Sequence, residues 1–137
     1  MAAKKYGKYF MTKCTKPNPE KWGPITSGFI DFYNIKKKFK KSNLTASGLY
    51  YTKPHVMVNT THIHDFDEYL CFWGANAEDI NDFDAEVELY MGEEGEKYLI
   101  TKPTIVYIPT KLVHCPLNFA KINKPMFFFH VRDHSVE

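Results

Sequence analysis

Three observations predict an all-β fold for this chain. Short runs of strand-forming residues recur at near-regular spacing. The breaks between them carry Gly, Pro, Asn and Asp, and little of the sequence follows a helical period. Aromatics supply 16% of the residues, with eleven Phe and nine Tyr, which suits a β-rich interior better than a helical one. The pattern is that of a sandwich or a barrel.

The elements follow in order. Residues 1–24 read as irregular, broken by Lys16-Pro17-Asn18-Pro19 and Gly23-Pro24. Ser27 to Ile35 reads as a first strand, Asn43 to Gly48 as a turn, and Leu49 to Tyr51 as the start of the next strand. Strands are then expected at Val56 to His64, Tyr69 to Trp73, Ala85 to Met91, Lys97 to Ile100, Thr104 to Ile108 and Met126 to Val131, with a short helical turn at Ala77 to Asn81. Gly74-Ala75-Asn76, Gly92-Glu93-Glu94-Gly95, Lys102-Pro103 and Asn123-Lys124-Pro125 punctuate them. The strands around Leu70 and Phe128 are apolar at both parities. A sheet with one wet face alternates instead, so their outer side is expected to be covered, by the N-terminal segment or by a second subunit. A homodimer is the expectation.

With 137 residues, one domain with a real core is expected. No apolar stretch reaches membrane-spanning length, and no apolar run follows Lys4-Lys5 as a signal peptide would require. Cys14, Cys71 and Cys115 are too few and too scattered for a disulfide framework, so a cytoplasmic protein is expected. The net charge of +2 hides an asymmetry: residues 1–58 hold twelve Lys against Glu20 and Asp31, while residues 59–137 hold six bases against fourteen acids. Lys36-Lys37-Lys38 and Lys40-Lys41 read as a solvated connection. Seventeen of the eighteen bases are Lys, whereas base readout leans on Arg, so nucleic acid is not the expected partner.

Chemistry concentrates in His62-Ile63-His64-Asp65-Phe66-Asp67-Glu68 and in a later His114. Residues two apart on a strand share a face, so His62 and His64 can present both rings to one point. Glu68 can return a carboxylate to it, and His114 can reach it from a distant strand. Three imidazoles and a carboxylate suit one first-row divalent metal, with Fe, Mn, Ni and Zn all admissible.

His62-x-His64-x3-Glu68, followed by Gly74, and Pro109-x4-His114-x3-Asn118 resemble the two signature motifs of the cupin superfamily. The likeness spans about residues 49–131. Three glycines of the family pattern are replaced, by Val56, Pro103 and Lys111. The resemblance implies a small antiparallel β-barrel, a double-stranded β-helix or jelly roll, holding a metal at His62, His64, Glu68 and His114. Residues 49–137 would form the cupin domain and residues 1–48 an N-terminal extension that packs on the barrel or exchanges with it. Four protein ligands leave positions open for a small oxygenated or carboxylate-bearing metabolite.

Two function classes follow. One is a metal-dependent enzyme, in which dioxygenase, isomerase and lyase chemistry are not separated. The other is a non-catalytic small-molecule-binding or sensing cupin, although no helix-turn-helix pattern accompanies it. His130 and Tyr107 are candidate catalytic groups. Arg132, the only arginine, is a candidate clamp for a substrate carboxylate, and Phe72, sharing the parity of Glu68, a candidate substrate contact. Cys115 is expected to point away from the site into the core, Asn118 to brace the His114 turn, His55 to face away from the metal and His134 to be solvated.

Overall fold

The computed structural model describes residues 4–31 and 35–136. Ten strands are found in them: β1 (Thr15–Pro17), β2 (Gly28–Asp31), β3 (Leu44–Tyr51), β4 (His55–Val58), β5 (Asp67–Gly74), β6 (Ala85–Met91), β7 (Glu96–Ile100), β8 (Thr104–Ile108), β9 (His114–Ile122) and β10 (Met126–Asp133). The only α-helix among the described residues is a single turn, Ile35–Lys38. The strands pair antiparallel in two sheets, one of six strands in the order β1-β2-β3-β10-β5-β8 and one of four in the order β4-β9-β6-β7. Among the described residues no helix is long and apolar enough to cross a membrane.

The all-β jelly-roll class is as expected, but the closed barrel is not: the two sheets stay separate. Although β7 and β8 are consecutive, they lie at the edges of different sheets, and Pro103 between them can donate no ladder hydrogen bond. Several boundaries are also corrected. Residues 43–48 belong mostly to β3, whose Leu44 to Gly48 pair with Asp133 to Phe129, so small turn-type residues are recruited by a strong partner strand. Ile35 opens the helical turn rather than closing a strand, and residues 32–34 of that expected strand lie outside the described residues. Ala77 to Asn81 forms turns without a helix. A distant strand was expected at His114, but the extent of β9 to Ile122 was not, because Pro116 and a bulge interrupt its alternation.

The N-terminal segment widens the six-stranded sheet at its β3 edge instead of crossing its outer face. Asp31 N donates to Cys14 O at 2.7 Å, Ser47 Oγ to Ile30 O at 2.7 Å and Thr52 N to Ile25 O at 2.8 Å, tying the segment to β3. The division at residue 48 therefore falls inside a strand.

Along the inner face of this sheet, polarity changes with height. One cross-strand row joins Leu49, Phe128, Phe72 and Thr104; the next joins Ser47, His130, Leu70 and Val106; the last joins Thr45, Arg132, Glu68 and Ile108. At the apolar end Phe72, Phe128 and Phe119 pack between the sheets, and Tyr51 stacks on Phe119 with centroids 3.8 Å apart. At the other end the same strands present a buried carboxylate and imidazole. The core closes one end of the sandwich and leaves chemistry at the other.

Candidate metal centre

Backbone bonds, not strand parity alone, bring the two motifs together. β4 ends at Val58, so His62 and His64 do not share a regular strand as expected; His62 makes an isolated bridge to His114. His62 N donates to His114 O at 3.0 Å and His114 N to His62 O at 3.1 Å, while Lys111 N donates to His64 O at 2.9 Å. The turn carrying Lys111 is held in place because Asp67 Oδ1 accepts from both N and Oγ1 of Thr110, each at 2.9 Å. Lys111 itself has φ +68°, the left-handed conformation that glycine adopts without penalty. The turn keeps its shape without its glycine because its neighbours over-determine it.

The rings converge. The centroid of His62 is 4.5 Å from that of His64 and 4.3 Å from that of His114, and the nearest ligand atoms of the three lie within 4.8 Å of one another. These three can hold a metal ion. Glu68 Oε1 stands 3.8 Å from Nε2 of both His64 and His114. That is too long for a hydrogen bond, yet one ion at about 2.0–2.2 Å from each atom would span it.

The residues fit such an ion on a second count. His114 is 1% exposed, and its Nδ1 lies 2.8 Å from Leu112 O. A carbonyl can only accept, so Nδ1 carries the hydrogen, and a neutral ring so held has its lone pair on Nε2. That Nε2 is buried with no hydrogen-bond partner. An orphaned acceptor costs about 1–3 kcal/mol unless something fills its lone pair, and a backbone carbonyl behind a ligating imidazole is the usual way to aim one.

Burial lowers the His62 pKa, with the neighbouring His114 adding to the effect, and it lowers His64 to about 4. Burial pushes Glu68 the other way, but His130 and the Arg132 guanidinium outweigh it and hold the carboxyl down to about 2. Near neutral pH the site thus offers neutral imidazole to a metal at His62 and His64, with an ionised carboxylate beside them. Arg132 Nε donates to Glu68 Oε2 at 2.9 Å, and His130 Nδ1 lies 3.6 Å from the same oxygen.

These groups line one end of a cavity of about 190 Å³, whose other walls are Met57, Val58, Leu70, Cys115, Leu117 and Phe128. A larger hollow of about 440 Å³ beside β1 and β2 is lined by no His, Cys, Asp or Glu.

His130 and Arg132 line the cavity, but two other candidates stand apart from it. Tyr107 is 50% exposed on the opposite face of β8, packed on Tyr69, because β8 turns its odd-numbered residues outward. Phe72 is wholly buried one layer below, behind Phe128.

Sequence reasoning misplaced Cys115. An extended backbone would turn it away from His114, but its φ is +74°, and Cys115 and Pro116 together stand opposite the single residue Tyr90. The bulge shifts the inward parity from His114 to Cys115, Leu117 and Phe119. Cys115 therefore lines the cavity beside His114, with burial, and then Glu68, pushing its thiol up to about 12. The same shift turns Asn118 outward to donate to Glu88 Oε1 at 2.8 Å, so it does not brace the His114 turn. A proline two residues after His114 was the available signal. His55 packs against Tyr51 and Trp22, away from the site, while His134 is not simply solvated: its Nε2 is 3.0 Å from Thr45 Oγ1 and its ring lies against Phe66.

No family model matches the sequence, and no curated protein matches it by sequence. Solved structures do match. Oxalate oxidase in complex with the substrate analogue glycolate is similar at 12% identity and a TM-score of 0.58, over 93% of this chain and 60% of that one. The polyketide cyclase RemF from Streptomyces resistomycificus is similar at 9% identity and a TM-score of 0.50, over 90% of this chain and 67% of the other. An RmlC-like cupin from Shewanella frigidimarina matches at 12% identity and a TM-score of 0.44, over 69% of each chain. This chain thus spans about 60% of the length of the oxalate oxidase chain. The fold is that of the cupin superfamily, as the two motifs imply.

Proposed function

We propose that this chain is a metal-dependent cupin enzyme acting on a small oxygenated or carboxylate-bearing metabolite, with one first-row divalent metal held by His62, His64, Glu68 and His114. The observation that carries this reading is the buried, unpartnered Nε2 of His114, aimed at the cavity where two further imidazoles and Glu68 Oε1 converge. When bound, such an ion would polarise a chelating oxygen as a Lewis acid or, if iron, support O₂ chemistry.

The remaining residues define the substrate. A cavity of about 190 Å³ equals roughly six water volumes at about 30 Å³ each, which is room for a small metabolite. Arg132 offsets the charge of Glu68, and His62 and His64 are held neutral near pH 7. A divalent ion would then leave the cavity positive, which favours an anionic chelator. Val58, Leu70, Leu117 and Phe128 restrict water and suit a short apolar body. His130, beside Glu68 Oε2, is placed to hold a proton near the cavity. In this reading the catalytic domain runs from β3 onward, taking in Leu44 to Gly48 across the expected division at residue 48, and the residues before β3 are an extension packed on it.

Elemental analysis of protein purified without added metal, followed by titration of the stripped protein with Fe(II), Mn(II), Ni(II) and Zn(II), tests the proposal. About one equivalent bound, and lost in His114→Ala, is expected. No uptake of any of the four would overturn it. A loaded protein that binds small carboxylates and turns none over would be the non-catalytic binding module instead.

The outer face of the six-stranded sheet supports a second element of the proposal, a homodimer. Tyr50, Tyr69, Ile105 and Tyr107 are each about half exposed or more there, beside Phe127, Trp73 and Phe129. Among the described strand residues of this face, charge enters only at one end, where Asp133 stands opposite Asp67 in the β10–β5 register. An uncharged aromatic face is self-complementary, as a two-fold interface requires.

A further inference from the structure

We infer that Arg132 is the positioning residue of the candidate metal centre, orienting two of its ligand residues at once. The inference rests on the metal-centre reading above and adds to it a role for the only arginine in the chain.

Arg132 lies directly opposite Glu68 in the β10–β5 register, and its Nε donates to Glu68 Oε2 at 2.9 Å. A glutamate carboxylate rotates almost freely about its last torsion. A charge-assisted bond to one oxygen removes that freedom. The anchored oxygen is Oε2, so Oε1 is the one left facing His64 and His114 at 3.8 Å. Glu68 is 3% exposed, which makes the pair a buried one on the carboxylate side and sets it apart from a surface ion pair.

The same guanidinium has a second contact. Its Cζ lies 4.9 Å from the ring centroid of Phe66, and Phe66 stacks on His64 with centroids 4.4 Å apart and planes 15° apart. Arg132, Phe66 and His64 therefore form a column. The cation holds the phenyl ring through its face, and the phenyl ring restricts the rotation of the imidazole. One side chain thereby orders Glu68 directly and His64 through Phe66. Lysine cannot replace it fully, because a point charge can satisfy the carboxylate but lacks the planar group that lies over the ring.

The test compares stripped wild-type protein with Arg132→Met, Arg132→Lys and Phe66→Leu. Each is titrated with Mn(II) and Co(II), recording affinity, the Mn(II) electron paramagnetic resonance spectrum and the apo-protein melting temperature. Arg132→Met is expected to weaken metal binding about 10–100-fold, the usual cost of losing a group that orients a ligand, and to replace one Mn(II) species by several. Arg132→Lys should recover part of the affinity but not the single spectrum. Phe66→Leu should weaken binding less and disturb the spectrum while the Glu68 pair persists. If folded Arg132→Met binds Mn(II) with wild-type affinity and spectrum, Arg132 is not a positioning residue. The same conclusion follows if the variants lower only the melting temperature. Should Arg132→Met fail to fold, Arg132→Lys and Phe66→Leu decide through the same spectrum. A wild-type protein that takes up neither ion overturns this inference, and the metal-centre reading falls with it only if Fe(II), Ni(II) and Zn(II) are refused as well; both outcomes are distinct from wild-type binding that the variants leave intact.

Discussion

His114 shows how much a single atom can carry. Its Nδ1 is bound to Leu112 O and its Nε2 is buried without a partner, so the ring is fixed in the form a metal ligand needs. Removing the ring should abolish metal uptake. In stripped protein, His114→Leu should cost little or even stabilise, because it removes the orphaned acceptor; chemical denaturation with and without metal checks both signs. pH supplies a second prediction. Burial lowers His64 from its ordinary 6.5 to about 4, so between those values the unfolded chain binds more protons than the folded one. Stability of the stripped protein should therefore be full above pH 6.5 and fall as pH drops toward 4. Glu68, lowered from 4.5 to about 2, extends the loss below pH 4.5. Melting temperatures measured from pH 7 to pH 4 should decline, and the decline should be shallower in His64→Gln. A flat profile would contradict the half-buried, neutral state of His64.

Turns and bulges decide the element scale. Lys111 occupies a left-handed φ of +68° and is exposed, so Lys111→Gly should stabilise by about 0.5–1 kcal/mol, the left-handed penalty less glycine's extra entropy loss. Urea unfolding of the stripped variant reads that directly. Gly74 behaves oppositely: a Cβ there would meet Asp82 O at 2.0 Å, and backbone cannot yield as a side chain can. Gly74→Ala should cost about 2–3 kcal/mol or displace the loop after β5. Both positions fall in the segments that resemble the cupin motifs, and only one needs its glycine. The bulge in β9 is the least legible element. Alternation predicts which residues face the core only while the strand stays regular, and Cys115 at φ +74° ends that regularity one residue after His114.

At the scale of the whole molecule, the outer sheet face makes the oligomeric state testable. If it joins two copies, sedimentation equilibrium should find a dimer, and Tyr107→Lys with Ile105→Lys should yield a folded monomer; a wild-type monomer would overturn the assignment. Several features were legible in the sequence alone. Strand periodicity and breaker residues determined the β class, and the residue types in the His62 to Glu68 and Pro109 to Asn118 segments supplied the candidate site residues that the fold gathers. Both are local properties, set by side-chain alternation and composition over a few residues. Other features depended on the fold. Separate sheets in place of a closed barrel, the recruitment of residues 44–48 into β3, the bulge that turns Cys115 inward, and the column from Arg132 through Phe66 to His64 all arise from pairing between residues far apart in the chain. A sequence states what each residue is and which neighbours it alternates with. Which oxygen of Glu68 faces the histidines is decided by Arg132, sixty-four positions away, because only the β5–β10 ladder brings them side by side.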